Sequence, residues 1–168
     1  MTNKKLKQST GFTIIEVMIV LAIAGLIMLI VFLAVPALER SSRNTQRKND
    51  ASNILGGLND YVNNNNGELP TSQDAFTAAL FSASGNGCSN TTGNVHLGYY
   101  DCGNVSYLKN STQGDITPPS PSVDNVYVYS GAACDNNTPT GTGASARSVA
   151  IVYWVETSGS KMEQCIQS

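Results

Sequence analysis

From Phe12 to Val35 the chain runs through 24 residues in which every side chain is apolar or small except one, Glu16. As a helix rising about 1.5 Å per residue this run reaches about 36 Å, enough to cross a hydrocarbon core of about 30 Å. Past Pro36 the sequence turns polar, with Arg40, Arg43, Arg47 and Lys48 spaced by helical steps, which reads as a solvated basic collar on the helix rather than a patch for lipid headgroups. The apolar positions then recur at Ala51, Ile54, Leu55, Leu58, Tyr61 and Val62, one face of a helix that needs a sheet to lie on. Asn63 to Asn66 and Gly67 supply the left-handed conformations that end a helix. The pattern therefore predicts one long helix from Phe12 to about Asn63.

Thr71-Ser72-Gln73-Asp74 has the look of a capping box and predicts a short helix over Asp74–Phe81. Ser82 to Pro121 is rich in Gly, Asn, Ser, Thr and Pro and reads as an irregular connection. Three β-prone runs follow: Val126–Tyr129, Ser148–Glu156 and Lys161–Ile166, the last two joined as a hairpin by Thr157-Ser158-Gly159-Ser160. The unbroken apolar run around Trp154 marks the central strand. The fold class expected is α+β, a long N-terminal helix packed on a small antiparallel sheet.

The apolar run is too long for an ordinary secretory signal, whose apolar stretch spans about 7 to 15 residues. A permanent anchor accounts for its length and for the basic flank of Lys4, Lys5 and Lys7, yet leaves Glu16 unexplained, because a carboxylate in hydrocarbon is costly and usually has a purpose. A cut between Gly11 and Phe12 would create a cationic amine four residues before Glu16. A neighbouring copy, shifted along the axis, can present that amine to the carboxylate, which then sets the register between subunits.

Charge is divided along the chain. Residues 1 to 50 carry seven Lys or Arg against three acids, and residues 51 to 168 carry three against nine. A basic head beside an apolar span fits the cytoplasmic flank of a membrane segment, and the acidic body gives no support to nucleic acid as a partner. All four cysteines, Cys88, Cys102, Cys134 and Cys165, lie in the second half, which suggests two disulfides in an oxidising compartment. Four cysteines allow three pairings, and their order does not choose among them. A Cys88 to Cys102 bond would staple the long connection, and a Cys134 to Cys165 bond would tie the last strand to the sheet.

The stretch Gly11-Phe12-Thr13-Ile14-Ile15-Glu16 with its basic leader and apolar run resembles the class III signal of type IV pilins and pseudopilins. The resemblance is close over residues 1 to about 62 and architectural beyond. It implies that a membrane-embedded prepilin peptidase cuts after Gly11 and methylates the new N-terminal Phe12, and that Glu16 serves subunit recruitment and docking. It implies a leader over 1–11, a membrane and filament-core helix over 12–35, an amphipathic half over 36–63 and a globular head over 64–168 with a type IV pilin-like fold. In that family a C-terminal loop is closed by a disulfide, which here implies Cys134–Cys165 and leaves Cys88–Cys102. The family often places a proline inside the apolar helix; here Pro36 stands just past it and predicts a kink. Gly25 to Pro36 is the stretch expected to lose helicity on packing.

The resemblance implies a structural subunit rather than an enzyme, stored in the cytoplasmic membrane with its head outside. Its partners would be membrane lipid before assembly, then other copies of itself, drawn into an extracellular filament for adhesion, motility or DNA uptake by an assembly platform and its ATPase. The alternatives are a pseudopilin of a type II secretion or competence system, and a membrane-anchored binding module that never polymerises. No phosphate-binding glycine loop, HExxH, GxSxG or EF-hand pattern is present, and no cofactor or metal is expected. Asp135-Asn136-Asn137 holds a single acid and reads as a solvated loop rather than a Ca²⁺ site. His96 has no partner for catalysis nearby in sequence. The widely spaced aromatics Phe12, Phe32 and Tyr61 disfavour conduction through a stack.

Overall fold

Helix α1 runs over Ile14–Asn64 in the computed structural model, which describes residues 11–82, 97–100, 102–109 and 116–168. The chain divides into two units, Met1–Glu39 and Arg40–Ser168. In the first, every residue from Gly11 to Glu39 is exposed, including Phe12, Phe32 and Leu33. This helix is long and apolar enough to cross a membrane by length and composition. Gly25 and Pro36 both lie within it.

In the second unit, the helical stripe of Arg47, Ala51, Ile54 and Leu58 is buried. Burying a side chain such as Ile54 or Leu58 is worth about 1.5–3 kcal/mol, so this stripe is a principal apolar tie between helix and sheet. The helix ends one residue beyond expectation. Asn66 and Gly67 take φ of 54° and 83°, and the Gly67 N–H donates to the Val62 carbonyl at 2.8 Å.

Helix α2 spans Gln73–Ser82. Ser72, rather than Thr71, caps it by accepting the Ala75 N–H at 3.2 Å, and the reciprocal half of a box is missing because the residue three places on is then Ala75, which has no side-chain acceptor. The strands are β1 Val105–Lys109, β2 Val126–Ser130, β3 Ala133–Asp135, β4 Thr138–Thr140, β5 Val149–Glu156 and β6 Lys161–Gln167. Four of them form one sheet in the order β1-β2-β5-β6, and β3 pairs with β4 separately. As the run around Trp154 predicts, β5 is interior, flanked antiparallel by β2 and β6. The β5–β6 turn closes through the Thr157 N–H donating to the Ser160 carbonyl at 2.9 Å.

Two expectations are corrected. The connection read as irregular contains a 3-10 turn at Cys102–Asn104 and the strand β1. Its neighbours in Gly, Asn and Pro mask an alternation in which Val105 and Tyr107 are buried. The sheet is also mixed rather than wholly antiparallel, since β1 runs parallel to β2 with Val105 opposite Val126. The β3–β4 hairpin is a further addition, turned by Asn136 and Asn137 at φ of 46° and 72°.

Alternation along β2 and β5 gives the sheet two apolar faces. Val126, Val128, Ile151 and Tyr153 join the helix in one core with Phe76 and Tyr100. Tyr129, Ala150, Val152 and Trp154 form another, covered in part by Ile116 and Val123. The Cys134–Cys165 disulfide ties β3 to β6, with its Cα atoms 5.8 Å apart. The expected Cys88–Cys102 pairing lies outside the described residues.

Candidate assembly segment and head clasp

The N-terminal segment carries the first group of site residues. Thr13 stands just before α1 and donates both its N–H (2.8 Å) and its hydroxyl (2.7 Å) to Glu16 Oε2. The Glu16 N–H returns a bond to Thr13 Oγ1 at 3.4 Å. This is a reciprocal capping box, satisfying N–H groups that a helix start leaves without partners. The intersubunit role expected of Glu16 does not include this bond; its sequence signal is the T-x-x-E spacing of Thr13 and Glu16 at the head of the apolar run. Gly11 and Phe12 precede the helix and are exposed. A carboxylate held one turn into an exposed apolar helix, beside the residue expected to become the chain's first, is chemically suited to receive a cation from outside its own helix.

The second group lies at the start of the head unit and was expected to be a solvated basic collar. Arg47 departs from that expectation: its side chain is fully buried. Arg47 sits on the apolar stripe, four residues before Ala51, and that phase was the available signal. Its Nη2 donates to Glu156 Oε1 at 2.7 Å and to Tyr99 Oη at 2.6 Å, its Nη1 donates to Asn44 Oδ1 at 2.9 Å, and its guanidinium lies 4.1 Å from the Tyr99 ring centroid. Arg43 Nη2 reaches Glu156 Oε2 at 2.8 Å. Asn44 donates to the Glu156 carbonyl at 2.8 Å and accepts the Glu156 N–H at 2.9 Å. Arg40 donates to the Thr157 carbonyl at 3.4 Å. One helical face thus grips the end of β5 through both its side chain and its backbone. The Arg43 guanidinium, and then that of Arg47, hold the Glu156 carboxyl down to about 2.

One turn along, buried Asp50 accepts the N–H groups of Tyr99 (2.7 Å) and Tyr100 (3.0 Å) through Oδ2. Burial pushes its carboxyl up, and the two N–H bonds partly oppose that. Gly98 makes this approach possible. It has φ +95°, and a Cβ there would lie 2.7 Å from Asp50 Oδ1. The Tyr99 hydroxyl passes the network on to Asp124 Oδ1 at 3.1 Å. Neither Asn44 nor Asp50 carries a sequence signal that distinguishes it from an ordinary polar helix position.

Among the described residues, no cluster of three or more His, Cys, Asp or Glu side chains is placed to hold a metal ion. The Asp135–Asn137 segment is the exposed β3–β4 turn. Residues 6–32 match the family described as the prokaryotic N-terminal methylation motif. No curated protein and no solved structure matches the chain.

Proposed function

We propose that the chain, whose residues 6–32 match the N-terminal methylation motif of type IV pilin and pseudopilin precursors, is the structural subunit of a type IV pilus. A prepilin peptidase cuts between Gly11 and Phe12, and the new Phe12 amine is methylated. The subunit waits in the cytoplasmic membrane with its head outside, and copies then join into an extracellular helical filament serving adhesion, motility or DNA uptake. An assembly platform and its ATPase supply the work.

The observation that carries this reading is the coincidence of the Gly11-Phe12 junction, Glu16 and an apolar helix segment whose residues to Glu39 are all exposed. Moving such a helix from lipid into a bundle of like helices gains little hydrophobic free energy, so close packing and a polar contact must set the register. Glu16 meeting the Phe12 amine of a neighbour supplies that contact. Gly25 to Pro36 is the stretch proposed to unwind in the filament, where a glycine and a proline weaken the helix.

The test is intact mass and N-terminal sequencing of the protein in sheared extracellular material. A chain beginning at Phe12 and heavier by one methyl group supports the proposal. A chain processed at Phe12 but confined to the cell envelope points to a pseudopilin. A chain still beginning at Met1 and found only in membranes overturns both.

A further inference from the structure

A sheet edge carries a row of backbone N–H and C=O groups that a strand from another chain can pair with. In β1 the Val105 carbonyl and the Tyr107 N–H face away from β2, since both bond to Gln73, and the alternation of a strand puts the Lys109 N–H on the same side. The Gln73 side chain occupies two of them. Its Oε1 accepts the Tyr107 N–H at 2.6 Å, and its Nε2 donates to the Val105 carbonyl at 3.0 Å. A primary amide presents one acceptor and two donors in a plane, which is the hydrogen-bonding face a strand residue would offer. A related arrangement occurs where β5 extends past its pairing with β2: there the Asn44 amide bonds the N–H and the C=O of one residue, Glu156. At the opposite side of the sheet, the Cys134 N–H donates to Gln167 Oε1 beside the disulfide.

We propose that Gln73 is an edge lock: its amide takes the place of a strand on the side of β1 that no strand among the described residues pairs with, and prevents a second copy of the chain from adding to the sheet. Such a subunit must be kept at high local concentration without its heads pairing strand to strand. The lock leaves self-association to surfaces other than this edge. Its position at the first residue of α2 fixes the amide, because Ser72 caps that helix and Phe76, one turn on, stacks on the Tyr107 ring with centroids 4.8 Å apart.

The test uses the full chain in detergent micelles, with Gln73→Met as the variant, since methionine keeps the length and volume and removes both bonds. The Tyr107 N–H is followed by hydrogen exchange in dilute protein, and self-association by sedimentation at rising concentration. The expected result is at least tenfold faster exchange at Tyr107, together with concentration-dependent dimers that the parent does not form. Adding Lys109→Pro, which removes an outward N–H of β1, should abolish those dimers. Gln73→Glu, which accepts from Tyr107 but cannot donate to Val105, serves if the methionine variant fails to fold, and is expected to dimerise at higher concentration. Parent-like sedimentation of the folded variants, or dimers that persist with Lys109→Pro, would overturn the proposal.

Discussion

Asn44 lays its side-chain amide against both backbone groups of Glu156, while Arg43 and Arg47 take the same residue's carboxylate. A single residue at the end of β5 is therefore held at four polar points by one helix face. Apolar contacts are indifferent to direction, whereas these bonds are not, and they fix which residue of the helix meets which residue of the sheet.

Replacing Asn44 by Ala leaves the Glu156 N–H and C=O without partners in a partly buried site. At about 1–3 kcal/mol each, two such groups cost about 2–6 kcal/mol in total. Chemical denaturation of the head transition in detergent should show a midpoint shift of that size. An effect under about 0.5 kcal/mol, the range of ordinary surface changes, would mean that water replaces the amide freely.

Acid acts on the head with two opposite signs. Glu156 is held at about 2 against an ordinary 4.5, so its contribution is complete above pH 4.5 and is lost as pH falls toward 2. Asp50 is raised by burial above its ordinary 3.8, so its contribution is complete below 3.8 and declines as pH rises through its folded value. Stability measured from pH 7 downward should therefore first hold or rise slightly, then fall steeply below pH 4.5. Glu156→Gln should flatten that final limb, and an unchanged limb would assign acid sensitivity to other carboxylates.

The long helix, the central strand around Trp154 and the Thr157–Ser160 turn were legible because their patterns are long and periodic. Strand β1 was not, since five residues offer only the alternation of Val105 and Tyr107, and its partner strand lies some twenty positions away. The clasp was hidden for a different reason. Arg43 and Arg47 announce charge, but Glu156 lies 109 positions beyond Arg47, and no local rule links them. Asn44 and Gln73 act through plain amides whose use depends on what backbone comes near. At the N-terminus the residues were all visible; what escaped was that Thr13 and Glu16 already satisfy each other within one chain.

Gly98→Ala tests the Asp50 cradle. The new Cβ would sit at φ +95° and 2.7 Å from a buried carboxylate oxygen, so backbone strain and a steric clash act together. A cost of about 1–3 kcal/mol is expected, with accelerated exchange at the Tyr99 and Tyr100 amides. Gly143→Ala is the control. It shares the positive φ, at +73°, but has open space around it, so it should cost only the backbone part. Equal effects at the two sites would show that the contact with Asp50 adds nothing.

Glu16 caps its own helix and is proposed to set the register between subunits, and glutamine distinguishes the two. Its carboxylate caps the helix by accepting from Thr13, and in the proposed filament it receives the Phe12 amine of a neighbour. Gln keeps a carbonyl that can accept from Thr13 but carries no charge, whereas Leu loses both functions. Helix start stability should therefore survive in Glu16→Gln and fall by about 0.5–2 kcal/mol in Glu16→Leu, read as exchange at Thr13 to Val17 in micelles. Thr13→Val should reproduce the helix effect alone. If charge sets the register, both Glu16 variants lose extracellular filaments while still being cut after Gly11, and Thr13→Val retains at least some. If Glu16→Gln assembles as the parent does, the carboxylate is a cap and nothing more, and the register must come from the packing of Phe12 to Val35.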